Sequence, residues 1–164
     1  MEYLAGLFTA AHFLCLTVQW YYPSLIPAVL AIASDKLGLP VLATIKSWAS
    51  VGVDPASTGL APVEAITKAL GRAGLSLSDV DLFEINEAFA SMCVATIKLL
   101  DIDAEIVNVS GSGCSLGHPV AATGARMLAT MVHELRRRGG GIGVAAMCAG
   151  GGMGSATVIE VPSP

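Results

Sequence analysis

Charged side chains are scarce in this sequence of 164 residues: they make up 13% of the chain, whereas apolar residues make up 54%. The formal net charge is −4, and the basic run Arg136–Arg138 ends a predicted helix, where positive charge complements the helix dipole. We therefore expect no nucleic-acid-binding surface. Such sparse charge also indicates that another protein segment covers part of the surface.

Charge is absent altogether between Glu2 and Asp35. Residues 3–22 are about as long as a membrane-spanning helix needs to be, and Trp20–Tyr22 would suit the membrane interface. Polar residues interrupt this segment, however, and the lack of flanking basic residues argues against a signal peptide. We therefore interpret this segment as a leader that is either buried or artefactual. The alternative is that residues 3–22 tether the protein to a membrane.

Cysteines with paired metal-ligand spacing are also lacking; the four cysteines are Cys15, Cys93, Cys114 and Cys148. A reduced intracellular setting fits them better, although their even number leaves a disulfide framework open. We expect a cytoplasmic protein without a metal site, with the membrane tether as the alternative. The length predicts one domain over 28–164, after an apolar leader over 1–27.

Short apolar runs alternate with helical patterns along the rest of the chain. Strands are predicted over 28–33, 41–53, 80–85, 106–109, 143–147 and 155–161. Helices are predicted over 61–73, from Asn86 onward, and from Pro119 to Arg138. These patterns predict an α/β fold in which helices cover a mixed, mainly parallel sheet that an antiparallel strand pair closes.

Three predicted loops follow strands and carry reactive side chains, namely Asn86, His118 and Cys148. In α/β sheets, the loops at the carboxyl ends of the strands carry the chemistry. Cys148 precedes a glycine-rich turn over 150–154, in which bare backbone N–H groups can face a bound oxyanion. Cys148 is therefore either a reactive thiol or a small buried residue of the strand.

His118 is predicted to lie where a loop enters a helix, so that the helix dipole favours the neutral imidazole. The alternative is that His118 only bonds the nearby backbone. Asn86 stands at a similar strand-to-helix junction, where its side chain either caps the helix or belongs to a site. Each residue alone is a weak indication of function.

Three motifs in a fixed order carry a stronger signal than any single residue. The motifs are Asn86–Ala90, then Leu116–Pro119 with Val107–Val109 before it and Gly124–Arg126 after it, and finally Cys148–Gly154. In order and context they resemble the thiolase family, from about Ala28 to Val161. The resemblance implies the fold of the C-terminal half of a thiolase.

The resemblance implies a CoA-dependent acyltransferase that makes or cleaves acetoacetyl-CoA or a 3-ketoacyl-CoA. Acyl-CoA and CoA are then substrates, with no permanently bound cofactor. Cys148 matches the acid/base that moves a proton at the substrate α-carbon or the CoA thiol, a task suited to a thiol of lowered pKa. His118 matches a residue that lines the oxyanion site and helps activate a nucleophilic cysteine. Asn86 matches the residue that orients a water there, and the Gly150 N–H matches a donor to a second oxyanion site.

The sequence departs from the family pattern in two respects. Ala121 stands where the family usually has glycine, and the motif of the nucleophilic cysteine is missing because the sequence covers only the second half of a thiolase. The implied partner is a further copy of the chain or a complementary N-terminal half. A non-catalytic half-thiolase that binds or regulates a complete enzyme is the alternative. A β-ketoacyl synthase fits less well, because Cys148 and Asn86–Phe89 resemble thiolases proper.

Overall fold

The computed structural model describes residues 34–163. The predicted strand 28–33 and the segment 3–22 lie outside the described residues. Within the described part, no helix is long and apolar enough to cross a membrane.

A four-stranded sheet forms the centre of residues 42–164, which make up one compact unit. Its strands are β1 (Thr44–Gly52), β2 (Leu82–Ile85), β3 (Gly141–Ala149) and β4 (Met153–Val161), arranged in the order β1-β4-β3-β2. The helices are α1 (Ala61–Ala73), α2 (Ala90–Leu100), the short α3 (Gly113–Leu116) and α4 (Thr123–Arg138). Short 3-10 helices cover Pro55–Leu60, Leu77–Asp79 and Ala104–Ile106.

The predicted α/β class is confirmed, with a mixed sheet and covering helices. β3 and β4 form the predicted antiparallel pair, in which Cys148 lies opposite Gly154, but this pair lies in the middle of the sheet and does not close it. Among the described strands, however, only β2 and β3 pair in parallel, while β1 and β3 both pair antiparallel to β4. The sheet is less parallel than predicted because the chain around Val107 forms a single bridge to Phe83 instead of a strand.

Helix α1 has the predicted bounds because its sequence marks both ends. A proline stands in the first turn with Glu64, and Gly74 ends the helix at a φ of 69°, in the left-handed region that glycine tolerates. The helix buries Ile66 and Leu70 against the sheet. The hydroxyl of Ser47 on β1 donates to the Ala69 carbonyl at 2.7 Å, which ties the strand to the helix.

The two faces of the sheet bury different side chains. One face carries Phe83, Ile85, Val144 and Val158 under α1 and α2. The other face packs on α4, whose core residues are Met127, Met131 and Leu135, together with Leu82, Ile159 and Val161. Glu84 and Asn86 alternate with the β2 residues of the first face, so they share the side of Leu82 and α4.

Two predicted helix starts are wrong. Helix α2 begins at Ala90 with Phe89 as its N-cap, so Asn86 does not cap it. Helix α4 begins at Thr123, because the residues after Pro119 first form a turn in which the Ala122 and Thr123 N–H groups both donate to the Pro119 carbonyl. His118 therefore lies before this turn, not at the end of the helix dipole.

The predicted strand 106–109 is also wrong. Ala104–Ile106 forms a 3-10 helix, and Asn108 has a φ of 50°, which ends the extended conformation after Val107. The chain then runs through the buried Ser112 and the short helix α3 to His118. We call residues 107–118 the His118 loop.

Candidate active site

The carboxyl ends of β2 and β3 lie side by side, because these strands pair in parallel. Ile85 is opposite Ala146, and the Asn86 N–H donates to the Ala146 carbonyl at 2.9 Å. Cys148 lies two residues after Ala146, near the end of β3. The fold therefore brings the segments of Asn86 and Cys148 to the same end of the sheet, as predicted.

Asn86 and His118 are in contact. The Asn86 Nδ2 atom lies 3.4 Å from Nδ1 and 3.5 Å from Nε2 of the His118 ring. Asn86 is fully buried, whereas His118 is exposed. The buried Oδ1 of Asn86 has no hydrogen-bond partner among the described residues. The Nδ2 atom of the asparagine thus faces the imidazole, while its Oδ1 lies in the interior beside Gly113.

Thr123, the first residue of α4, fixes the orientation of the imidazole. Its Oγ1 lies 2.7 Å from His118 Nδ1 and donates to the Pro119 carbonyl at 3.1 Å. With Nδ1 bonded to the Thr123 hydroxyl, Nε2 is the ring nitrogen left to exchange a hydrogen bond or a proton with a bound molecule.

Cys148 is half-buried, and its Sγ donates to the Met92 thioether at 3.4 Å. Burial raises the pKa of the Cys148 thiol, and the prediction of a lowered pKa is wrong for this structure. The reason is that the thiol is partly desolvated, while its hydrogen-bond partner is an uncharged sulfur. Cys148 is therefore a thiol at neutral pH, able to donate a proton. Among the described residues, no hydrogen bond joins it to Asn86 or His118.

The turn after Cys148 leaves the Gly150 N–H free, with no protein acceptor within the described range. Gly151 and Gly152 have φ values of 84° and 83°, which require glycine. The Gly152 N–H donates to Thr58 Oγ1 at 3.0 Å, and a Cβ at Gly152 would overlap the Val53 carbonyl. The contacts of Gly152 thus hold the turn in place, while Gly150 makes none of them. The role of Gly150 as an oxyanion donor stays a prediction.

The structure contains an ion pair between Glu84 on β2 and Arg126 on α4, which was not predicted from the sequence. Glu84 is fully buried on β2, and Arg126 of α4 donates to its Oε2 at 3.1 Å. Burial nevertheless raises the pKa of Glu84 to about 7, with Arg126 acting in the opposite direction. The second Arg126 nitrogen lies 3.5 Å from the Ser112 hydroxyl. A glutamate inside a short apolar strand was the signal available in the sequence, since an isolated buried charge requires a partner.

The described residues contain no group of three His, Cys, Asp or Glu side chains that could hold a metal ion. An open cavity of about 430 Å³ lies between β1 and α1. It is lined by Val51, Gly52, Val63, Glu64, Thr67 and Lys68, and thus by none of the predicted site residues.

Comparison with known proteins identifies the family of this chain. The family model described as "Thiolase, C-terminal domain" matches residues 39–161. The chain is 54% identical over 127 residues to the peroxisomal 3-ketoacyl CoA thiolase 1 of Petunia hybrida; the match covers 76% of the chain and 28% of that protein.

Two solved structures are similar in both fold and sequence. The Bacillus anthracis acetyl-CoA acetyltransferase superposes with a TM-score of 0.76 at 49% identity, covering 79% of this chain and 33% of that one. Human mitochondrial 3-ketoacyl-CoA thiolase in complex with CoA superposes with a TM-score of 0.77 at 46% identity, covering 80% and 33%. The chain thus spans about a third of the length of the relatives it matches.

Proposed function

We propose a function from one premise: the chain belongs to the thiolase family, through the family's C-terminal domain. It supplies the proton-transfer and oxyanion-binding part of a CoA-dependent acyltransferase that forms or thiolytically cleaves acetoacetyl-CoA or a 3-ketoacyl-CoA. One observation carries this proposal: Asn86 and His118 are in contact at the end of the sheet where Cys148 also lies.

Cys148 acts in this proposal as the acid that supplies a proton. The thiolate of the nucleophilic cysteine on the other polypeptide adds to the β-carbonyl carbon of a 3-ketoacyl-CoA. The bond between the α- and β-carbons then breaks, so that the acyl group stays on that cysteine as a thioester and the electron pair stays on the α-carbon as an enolate. Transfer of the Cys148 proton to that carbon gives acetyl-CoA, and the thiol of the incoming CoA returns a proton to Cys148 when CoA takes the acyl group. The raised pKa suits this direction, because the group is a protonated thiol at neutral pH before the bond breaks. In the reverse direction the thiolate removes the same proton.

His118 and Asn86 stabilise negative charge on a thioester oxygen. Thr123 holds the ring with Nε2 as the remaining functional nitrogen, and an N–H group at that nitrogen donates to the oxyanion. Asn86 orients a water through its Nδ2 group, which faces the imidazole. The free N–H of Gly150 serves a second oxyanion.

The nucleophilic cysteine comes from a separate polypeptide segment in this proposal, either a complementary N-terminal half or a further copy of a longer chain. CoA and acyl-CoA are the small-molecule partners, by analogy with the relative solved in complex with CoA. We propose a cytoplasmic location; one relative is named a peroxisomal enzyme and another a mitochondrial one.

Thiolysis of acetoacetyl-CoA in the presence of CoA tests the proposal. The chain is assayed alone and after co-expression with the part of the Bacillus anthracis acetyl-CoA acetyltransferase that precedes the matched region. We expect turnover only from the co-expressed pair. Cys148→Ser and His118→Ala should abolish it, while each changes the free energy of unfolding by less than about 1 kcal/mol.

Cys114→Ser is the matched control, because this cysteine is exposed and has no part in the proposed chemistry. It should leave turnover unchanged. Near-normal turnover by Cys148→Ser would refute the proposed acid/base. A stable but inactive pair would instead favour the non-catalytic, regulatory alternative.

A further inference from the structure

Asn108 of the His118 loop makes three hydrogen bonds to the outer edge of β2. The Asn108 N–H donates to the Phe83 carbonyl at 2.8 Å. The Asn108 side chain then binds both peptide groups of Ile85: its Oδ1 accepts from the Ile85 N–H at 2.8 Å, and its Nδ2 donates to the Ile85 carbonyl at 2.9 Å. A side-chain amide thus continues the hydrogen-bond ladder where a neighbouring strand would have a peptide group.

The backbone of Asn108 is adapted to this task. Its φ of 50° lies in the left-handed region, which asparagine adopts more readily than most residues. Because of this conformation, the strand-like bridge does not extend beyond Val107. The Asn108 side chain, and not the backbone of a further strand, then bonds Ile85. The fully buried Ser112 adds a second donor, since its hydroxyl bonds the Ile85 carbonyl at 3.1 Å.

These bonds lie directly beside the proposed catalytic pair. Ile85 immediately precedes Asn86, and Asn108 and Ser112 belong to the loop that ends at His118. The loop also packs on Asn86 itself: a Cβ at Gly113 would lie 3.1 Å from Asn86 Oδ1 and 2.6 Å from the Glu87 carbonyl. The separation between Asn86 and His118 therefore depends on how the loop is held against the end of β2.

We propose that Asn108 is a positioning residue for the contact between Asn86 and His118. Its three hydrogen bonds to β2 fix the His118 loop in register with the strand that carries Asn86. The catalytic meaning of this assignment rests on the proposed function, whereas the positioning itself is a property of the chain alone.

Amide hydrogen exchange of the full chain, followed by NMR, tests the positioning. The Ile85 amide reports the bond to Asn108, whereas the Asn86 amide reports the bond to Ala146 inside the sheet. Asn108→Gly keeps the left-handed backbone and removes the side chain. We expect exchange at Ile85 to accelerate about fivefold to tenfold relative to Asn86, since one hydrogen bond is lost locally. The NMR signals of the His118 ring should shift in the same variant.

Ser112→Ala serves as the matched control, because it removes only the neighbouring donor. It should leave the Ile85 amide protected. If Asn108→Gly does not fold, Asn108→Asp replaces it, since aspartate tolerates the left-handed backbone. Its carboxylate cannot donate to the Ile85 carbonyl and faces the Glu87 carboxylate, so the NMR signals of the His118 ring should shift in this variant too.

Equal acceleration at Ile85 and Asn86 would show a general loss of stability and overturn the assignment. Unchanged His118 ring signals in Asn108→Gly would overturn it as well. Neither measurement uses turnover. An inactive co-expressed pair would therefore refute the proposed function and leave the positioning role of Asn108 standing.

Discussion

At the scale of single residues, Glu84 couples the stability of the fold to pH. Its pKa of about 7 in the folded chain lies above its ordinary value of 4.5, because burial disfavours the charged form. At a pH between 4.5 and about 7, Glu84 is therefore protonated in the folded chain and ionised in the unfolded chain. Raising the pH from about 4.5 to about 7 should therefore lower the free energy of unfolding, by at most about 3 kcal/mol.

Urea titrations across this pH range, compared between the wild-type chain and Glu84→Gln, measure the effect. The glutamine variant should lack this part of the pH dependence, because it keeps the volume of the side chain and cannot ionise. Glu160→Gln is the control, since Glu160 forms an exposed ion pair with Lys46. A pH dependence that survives in Glu84→Gln would contradict the assignment.

The three free cysteines in the described residues should differ in their reactivity with iodoacetamide. Burial raises the pKa of Cys93 to about 11 and also raises that of Cys148, whereas Cys114 is exposed. Because the thiolate is the reactive form, Cys114 should be alkylated first and Cys93 last. Mass spectrometry of the labelled peptides measures the order, and the chain in urea serves as the reference. Faster labelling of Cys148 than of Cys114 at neutral pH would contradict it.

The identities of the candidate site residues were predictable, but their contacts were not. Asn86, His118 and Cys148 belong to motifs whose residue types and order are visible in the sequence. The bond from Thr123 to His118 and the pairing of Glu84 with Arg126 depend on how α4 lies against β2, which no local pattern specifies. The pKa of Cys148 was misjudged for the same reason, because burial is a property of the tertiary structure.

At the scale of secondary-structure elements, helix ends marked by strong local signals were predicted well. Helix α1 has a proline in its first turn and a glycine after its last residue, and both of its bounds are correct. The start of α4 was misplaced because Pro119 is equally compatible with the turn that precedes the helix. The strand expected around Val107 failed because Asn108 adopts a left-handed conformation to bond β2.

The packing of α4 on β3 depends on the absence of a side chain at Gly143. A Cβ at this position would overlap the side chain of Met131 and approach Leu135 to 2.9 Å. We expect Gly143→Ala to lower the free energy of unfolding by about 1–3 kcal/mol, as overpacked cores do. Chemical denaturation measures the change.

Gly71→Ala is the matched control for this substitution. Gly71 is exposed in the interior of α1, and a Cβ there meets no atom within 4 Å. Because alanine favours the helix, this variant should gain about 0.5–1 kcal/mol. Similar effects of the two substitutions would show that α4 does not approach β3 closely at Gly143.

At the scale of the whole molecule, many large apolar side chains of the unit 42–164 are exposed. They include Ile45, Trp48, Leu60, Phe89, Val94, Leu99, Leu116, Val120 and Met153. A surface of this kind agrees with the low charge content and with a chain that spans about a third of its relatives' length. It supports the proposal that a complementary polypeptide covers part of the domain.

Binding of such a complement should raise the temperature of unfolding in a concentration-dependent manner. A ligand of the folded state at a concentration 100 times its Kd adds about 2.7 kcal/mol of stability. Thermal unfolding of the chain, with and without the N-terminal part of a relative, measures the shift. His118→Ala should show the same shift, because this residue acts in the proposed chemistry and not in assembly. An unchanged unfolding temperature at saturating complement would contradict the proposed partner.

The side-chain ladder on β2 has one more consequence, for strand addition. The N–H and C=O groups at the free edge of a sheet are a template for pairing with strands of other chains, which leads to aggregation. On β2 these groups are already bonded to Asn108 and Ser112. A foreign strand could pair there only after displacing the His118 loop, so the same contacts that hold the candidate site also close this edge of the sheet against intermolecular β-assembly.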